Sequence, residues 1–117
     1  MQHERVVRAL FSIAEAEDAR GMERMLHPGV RLTVDGGGIV AAPPTALEGA
    51  SAVRTYLAEA LLDPRCVLRV ESVNGGPGIV VCREGQVTGV LTICVRGRRI
   101  VEAWLVVNPE KLTRWSC

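Results

Sequence analysis

Asp35 and Glu102 are the two carboxylates whose positions could support acid–base chemistry. Asp35 ends the predicted strand at 30–34, and a carboxylate at the mouth of an apolar pocket has its pKa raised toward neutrality, where it can abstract a proton. Glu102 lies inside the apolar segment 100–107, where a carboxylate needs a partner or water. Both also have structural interpretations, because Asp35 could accept bonds from the amides of residues 36–38 and Glu102 could pair with an arginine across an interface.

Four further side chains are candidates for lining a small-molecule pocket, which is typically apolar with a few polar groups. Trp104 shares a predicted strand face with Glu102, and Asn74 and Asn108 stand near the ends of predicted strands. Tyr56 lies on the apolar face of a predicted helix. Three of the four also have a structural alternative, since the asparagines could form turns and Tyr56 could be a core residue with its hydroxyl at the surface.

The segment 108–112 (Asn-Pro-Glu-Lys-Leu) ends the last apolar strand abruptly. Its proline cannot donate a ladder hydrogen bond, so the sheet must stop there. Leu112 could fold back on the apolar surface, which is a structural role. Alternatively, Glu110, Lys111 (the only lysine in the chain) and Arg114 could form a surface that docks another protein.

Other chemistries find little support. His3 and His27 are isolated and the four cysteines lack paired spacing, so we predict neither a metal site nor a cofactor. The glycines at 36–38 lack the frame of a nucleotide-binding loop. An even number of cysteines could form disulfides, but the N-terminus shows no signal-peptide pattern, which favours a reducing cytoplasm. Cys82 and Cys94 are then small residues of the core.

The composition predicts one globular domain over residues 1–117, with 48% hydrophobic and 23% charged residues. The net charge of +1 gives no field that would favour nucleic acid or an anionic membrane, and no apolar run approaches the roughly 20 residues of a membrane span.

Hydrophobic periodicity predicts helices followed by a strand meander, which is the α+β order. A helix is expected over residues 4–20, with one further turn before the breaker at 27–29, and a second helix follows an N-cap at Ser51. Strands are expected at 30–34, 39–40, 67–74, 79–83, 86–96 and 98–108, the last four joined by antiparallel hairpins. The last two strands are apolar on both faces, so we predict a homodimer that covers the sheet.

Three sequence signatures resemble those of one family. Residues 34–38 (Val-Asp-Gly-Gly-Gly), 73–78 (Val-Asn-Gly-Gly-Pro-Gly) and 107–112 (Val-Asn-Pro-Glu-Lys-Leu) are similar to motifs of the SnoaL-like C-terminal extension of extracytoplasmic-function sigma factors. Residues 48–57 resemble the opening of the third helix in the wider nuclear transport factor 2-like superfamily.

The resemblance implies a cone-shaped SnoaL-like fold, cystatin-like in class, with three helices on a bent antiparallel sheet that encloses a pocket. It implies either a non-catalytic regulatory domain or a freestanding isomerase, cyclase or related proton-transfer enzyme, with Asp35 as base by similarity to ketosteroid isomerases. An oligomerisation scaffold with a filled cavity is a third hypothesis. The implied partners are a small apolar ligand, sigma-factor domains or RNA polymerase.

Overall fold

The computed structural model describes residues 2–117, in which three α-helices pack on one face of a six-stranded sheet. The helices are α1 (Gln2–Glu15), α2 (Ala19–Met25) and α3 (Ala50–Leu61). The strands are β1 (Leu26–Asp35), β2 (Leu47–Glu48), β3 (Cys66–Val73), β4 (Gly76–Arg83), β5 (Gln86–Arg96) and β6 (Arg99–Val106), followed by a 3-10 turn at Pro109–Lys111. The α+β class is therefore confirmed.

The sheet has the strand order β2-β1-β6-β5-β4-β3 and is mixed. Short turns make β3 to β6 antiparallel, as predicted, but β1 runs parallel to β6, from Arg31 opposite Glu102 to Asp35 opposite Val106. The expectation of a wholly antiparallel sheet is therefore wrong. No hairpin joins β1 to β6, and the long intervening chain leaves either direction open.

Two strands in the N-terminal half of the chain have different bounds from those predicted. Strand β1 begins at Leu26 and runs through the predicted breaker at 27–29, where its pairing with β6 shifts register between Leu26 and Arg31. Proline is tolerated at such an irregularity because no ladder bond is needed there. The predicted strand at 39–40 is instead a turn, and β2 (Leu47–Glu48) pairs with β1.

Two helix ends differ from prediction. The first helix stops at Glu15, because Glu17 adopts a left-handed φ of 53°, and Asp18 then caps α2 by accepting a 2.9 Å bond from the Gly21 amide. Gly49, rather than Ser51, occupies the N-cap of α3, and no side chain caps that helix.

The two faces of the sheet carry separate apolar clusters. The helix-facing cluster includes Leu10, Leu32, Leu57 and Leu105, each at most 2% exposed. The opposite face, here called the outer face, is covered in part by the C-terminal tail (residues 108–117). The buried side chains there are Val73, Val80, Cys82, Val90 and Leu112, with Trp115 packed against them. The chain's own tail therefore covers part of the face that was expected to be covered by a second copy of the chain.

A disulfide joins Cys82 of β4 to Cys117 at the end of the tail, with the Cα atoms 6.0 Å apart. The prediction that Cys82 is a reduced core thiol is therefore wrong, although the residue is buried as expected. Cys94 is exposed rather than in the core, because it points to the outer face in β5. No helix within residues 2–117 is long and apolar enough to span a membrane.

Candidate functional site

The glycine-rich turn and the C-terminal segment, which are far apart in sequence, meet in the fold. They follow the parallel strands β1 and β6, whose last paired residues are Asp35 and Val106. The amide of Val107 donates a 2.8 Å bond to the carbonyl of Asp35 and continues the pairing one residue beyond β6. The signatures at residues 34–38 and 107–112 therefore form the two sides of one contact.

Asp35 is the centre of this contact. One carboxylate oxygen lies 2.6 Å from the Nζ of Lys111, and the other accepts a 3.0 Å bond from the amide of Gly37. The predicted turn role of Asp35 is confirmed. The hydrogen bond from Lys111 is the main cause that holds the pKa of Asp35 below its usual value, so the expected rise toward neutrality is wrong.

Asn108 fixes the start of the tail on the other side of the contact. Its side chain is buried and accepts a 3.1 Å bond from the amide of Glu110, which caps the 3-10 turn. Its amide group also packs directly against Gly37, which has a left-handed φ of 64° and leaves no room for a Cβ atom. A glycine is therefore required at this position for two independent reasons.

A cavity of about 410 Å³ lies between the tail and the outer face of the sheet. Its apolar lining comes from Val73, Val90, Val106, Leu112 and Trp115, and its polar lining from Asn74, Glu110, Lys111, Thr113 and Arg114. Four residues predicted for two different roles, pocket lining and protein docking, therefore surround one cavity. Asn74 also has a left-handed φ of 50° beside Gly75, which confirms its role in the β3–β4 turn.

A second cavity, of about 880 Å³, lies on the other side of the tail and shares Leu112, Thr113 and Trp115 with the first. The tail is thus a partition between two cavities. Buried Leu112, the disulfide and a 2.6 Å bond from Arg69 to the carbonyl of Ser116 hold it in place. Any displacement of the tail would change the shape of both cavities.

The remaining candidates do not converge. Tyr56 packs against the helix-facing cluster, and burial raises the pKa of its hydroxyl, whereas Trp104 is 40% exposed on the outer face. Glu102 is half-buried on the same face, opposite Arg31 of β1. It precedes Val106, the partner of Asp35, by four residues, so it lies about 13 Å along the strand from Asp35.

Glu102 and Trp104 share the outer face of β6, as predicted. Ile100 lies on the other face, because a register shift opposite Cys94 and Val95 turns it into the helix-facing cluster. Large apolar side chains pack between the helices and the sheet. The ligand pocket expected there therefore remains a prediction.

Comparisons with known proteins give structural neighbours only. No protein-family model matches the chain, and no curated protein matches it. The extracytoplasmic function sigma factor SigJ of Mycobacterium tuberculosis is similar over 96% of this chain and 44% of its own, with 24% identity and a TM-score of 0.76. The chain thus spans less than half the length of that sigma factor.

Two neighbours match over most of their own length. An NTF2-like protein of unknown function from Mesorhizobium loti has a TM-score of 0.67 and 18% identity, with 92% of this chain and 91% of its own covered. A steroid delta-isomerase from Pseudomonas aeruginosa has a TM-score of 0.66 and 17% identity, with 97% and 84% covered. The chain therefore adopts the nuclear transport factor 2-like, SnoaL-like fold that the sequence signatures imply.

Proposed function

We propose that this chain is a non-catalytic SnoaL-like regulatory domain that acts through its C-terminal tail. The observation that carries the proposal is the distribution of polar groups. Asn74, Glu110, Lys111 and Arg114 surround the cavity under the tail, whereas the helix-facing side of the sheet is filled by large apolar side chains. Three of these four polar residues, Glu110, Lys111 and Arg114, belong to the tail.

The electrostatics of Asp35 favour regulation over catalysis. A general base that works near pH 7 needs a pKa near that value. The Lys111 ammonium lowers the pKa of Asp35 and occupies the oxygen that would accept a proton. In this arrangement the carboxylate holds the tail in position.

The partner we propose is a protein of the transcription machinery, either sigma-factor domains or RNA polymerase. The fold likeness to a sigma factor and the resemblance of the three signatures support this choice. The charged residues Glu110 and Arg114 of the tail are exposed and available for contact. A small apolar ligand in the 410 Å³ cavity, a volume within the range of ligand sites, would then bias the position of the tail.

The test is transcription in vitro by RNA polymerase and an extracytoplasmic-function sigma factor of the same organism, with and without this domain. We expect the domain to change transcript yield, and a double variant, Glu110→Arg with Arg114→Glu, to abolish that change. Arg96→Glu is the control, because Arg96 is exposed at the opposite end of the sheet. An unchanged yield with the wild-type domain, or equal effects of all three proteins, would reject the proposal.

A freestanding isomerase or cyclase is the second candidate function, favoured by the fold likeness to a steroid delta-isomerase. Asp35 is the first proposed base and Glu102 the next. Asp35→Asn and Glu102→Gln would each be assayed for proton exchange at the α-carbon of small ketones. If neither substitution lowered a measurable exchange rate, the catalytic reading would be wrong.

We also retain the homodimer through the outer face as a proposal. The tail covers only part of that face, and Trp104 remains 40% exposed. Sedimentation at micromolar concentration would distinguish a dimer from a monomer. If the protein is a dimer, Trp104→Glu should shift it to a monomer.

A further inference from the structure

A cleft of about 740 Å³ lies away from the tail, where α2, the start of α3 and the starts of β1 and β6 meet. Its apolar lining comes from Ala19, Leu26, Pro28 and Ala50. Its charged lining comes from Arg20, Glu23, Arg24, Arg54 and Arg99. Four guanidinium groups from three different elements therefore converge on one concave surface.

Carboxylates neutralise only part of this charge. Arg54 lies 3.1 Å from Glu23, and Arg24 lies 4.0 Å from Asp18. Within residues 2–117, Arg20 and Arg99 have no carboxylate within ion-pair distance. The cleft thus has two uncompensated positive charges, although the net charge of the whole chain is only +1.

The N-terminus of α3 adds positive potential to the same cleft. Gly49 occupies the cap position with a φ of 95°, and no side chain accepts bonds from the first amides of the helix. Ala50, the first helical residue, lines the cleft. An uncapped helix start has partial positive charge and free N–H groups that suit an anion.

Clustered positive charge of this kind is unfavourable until an anion neutralises it. The planar guanidinium fork matches the oxygen geometry of a phosphate, and an apolar floor suits the organic part of a small ligand. A nucleic acid needs an extended basic surface, which the chain's net charge does not provide. We propose that this cleft binds a small phosphate ester or diphosphate with an apolar body, at a site separate from the tail.

Inorganic pyrophosphate is the probe for the first test, with titration calorimetry and thermal unfolding at fixed ionic strength against chloride. We expect saturable binding that raises the unfolding temperature. Arg20→Gln and Arg99→Gln should each weaken binding about tenfold, the loss of one charge-assisted contact. Both residues are exposed, so the variants should fold, which circular dichroism checks.

Arg5→Gln is the matched control, because Arg5 is an exposed arginine of α1 that does not line the cleft. It should bind pyrophosphate as the wild type does. Binding that all three variants leave unchanged would locate the anion elsewhere and overturn the proposal. No binding by the wild type, or tighter binding of a short single-stranded oligonucleotide than of pyrophosphate, would also overturn it.

Discussion

Breaking the Cys82–Cys117 disulfide should release the tail from the outer face and lower the free energy of unfolding by about 4 kcal/mol. The bond links residues 35 positions apart. For a loop of that size, the chain-entropy relation gives about 13 cal/mol/K, or about 4 kcal/mol at 25 °C. At the unfolding entropy typical of a chain this long, the loss corresponds to a fall in Tm of about 15 °C.

The assay is urea unfolding of oxidised protein, of protein reduced with dithiothreitol, and of Cys117→Ser, followed by tryptophan fluorescence. Cys117 is the better residue to replace, because it is exposed and its substitution leaves no cavity at the buried Cys82. Trp115 packs against the cluster under the tail, so its emission should shift to the red when the tail is released. Trp104 is already partly exposed and should change little.

Two controls separate the bond from other effects of reduction. Cys94→Ser removes an exposed free thiol and should unfold at the same urea concentration as the wild type. Dithiothreitol should have no further effect on Cys117→Ser. If oxidised and reduced wild-type protein had the same midpoint and the same fluorescence, the tail would be held without the disulfide, which would contradict this prediction.

Two further predictions concern the contact between the turn and the tail. Lys111→Met should raise the pKa of Asp35 toward the ordinary value of 3.8, measured by carboxyl NMR titration. Because the folded-state pKa of Asp35 is lowered, the wild-type pair stabilises the fold above about pH 4 and loses that contribution as the pH falls through the folded-state pKa. An Asp35 titration in Lys111→Met that matched the wild type would contradict this prediction. Gly37→Ala should cost about 3 kcal/mol, since it combines a left-handed φ with a clash against Asn108. Gly38→Ala, with a φ of 76° and open space around it, should cost only about 1 kcal/mol, and equal costs in urea unfolding would exclude the clash.

The strand meander could be predicted from sequence because its information is local. Strand β5 has the predicted bounds of Gln86–Arg96, and β3, β4 and β6 differ from prediction by three residues or fewer at each end. Two-residue glycine turns fix both the direction and the register of neighbouring strands. The apolar face of α3 follows from its helical period in the same way.

The turn contact of Asp35 could be predicted because it is local, whereas its contact with Lys111 could not, because the two residues are 76 positions apart. The parallel pairing of β1 with β6 and the disulfide to Cys117 likewise join distant segments. The even number of cysteines was the one sequence signal for the bond, whereas an N-terminus without a signal-peptide pattern favoured reduced thiols.

The place of β6 in the strand order has a consequence for how the chain folds during synthesis. Strand β6 is the neighbour of both β1 and β5, so it joins a two-stranded ribbon to a three-stranded meander. A nascent chain that ends at Arg96 lacks this link, and an isolated two-stranded ribbon is only marginally stable in water. The edge of β1 stays unpaired until the last strand leaves the ribosome, which exposes it to pairing with other chains. The domain must therefore complete its sheet after nearly all of it has been made.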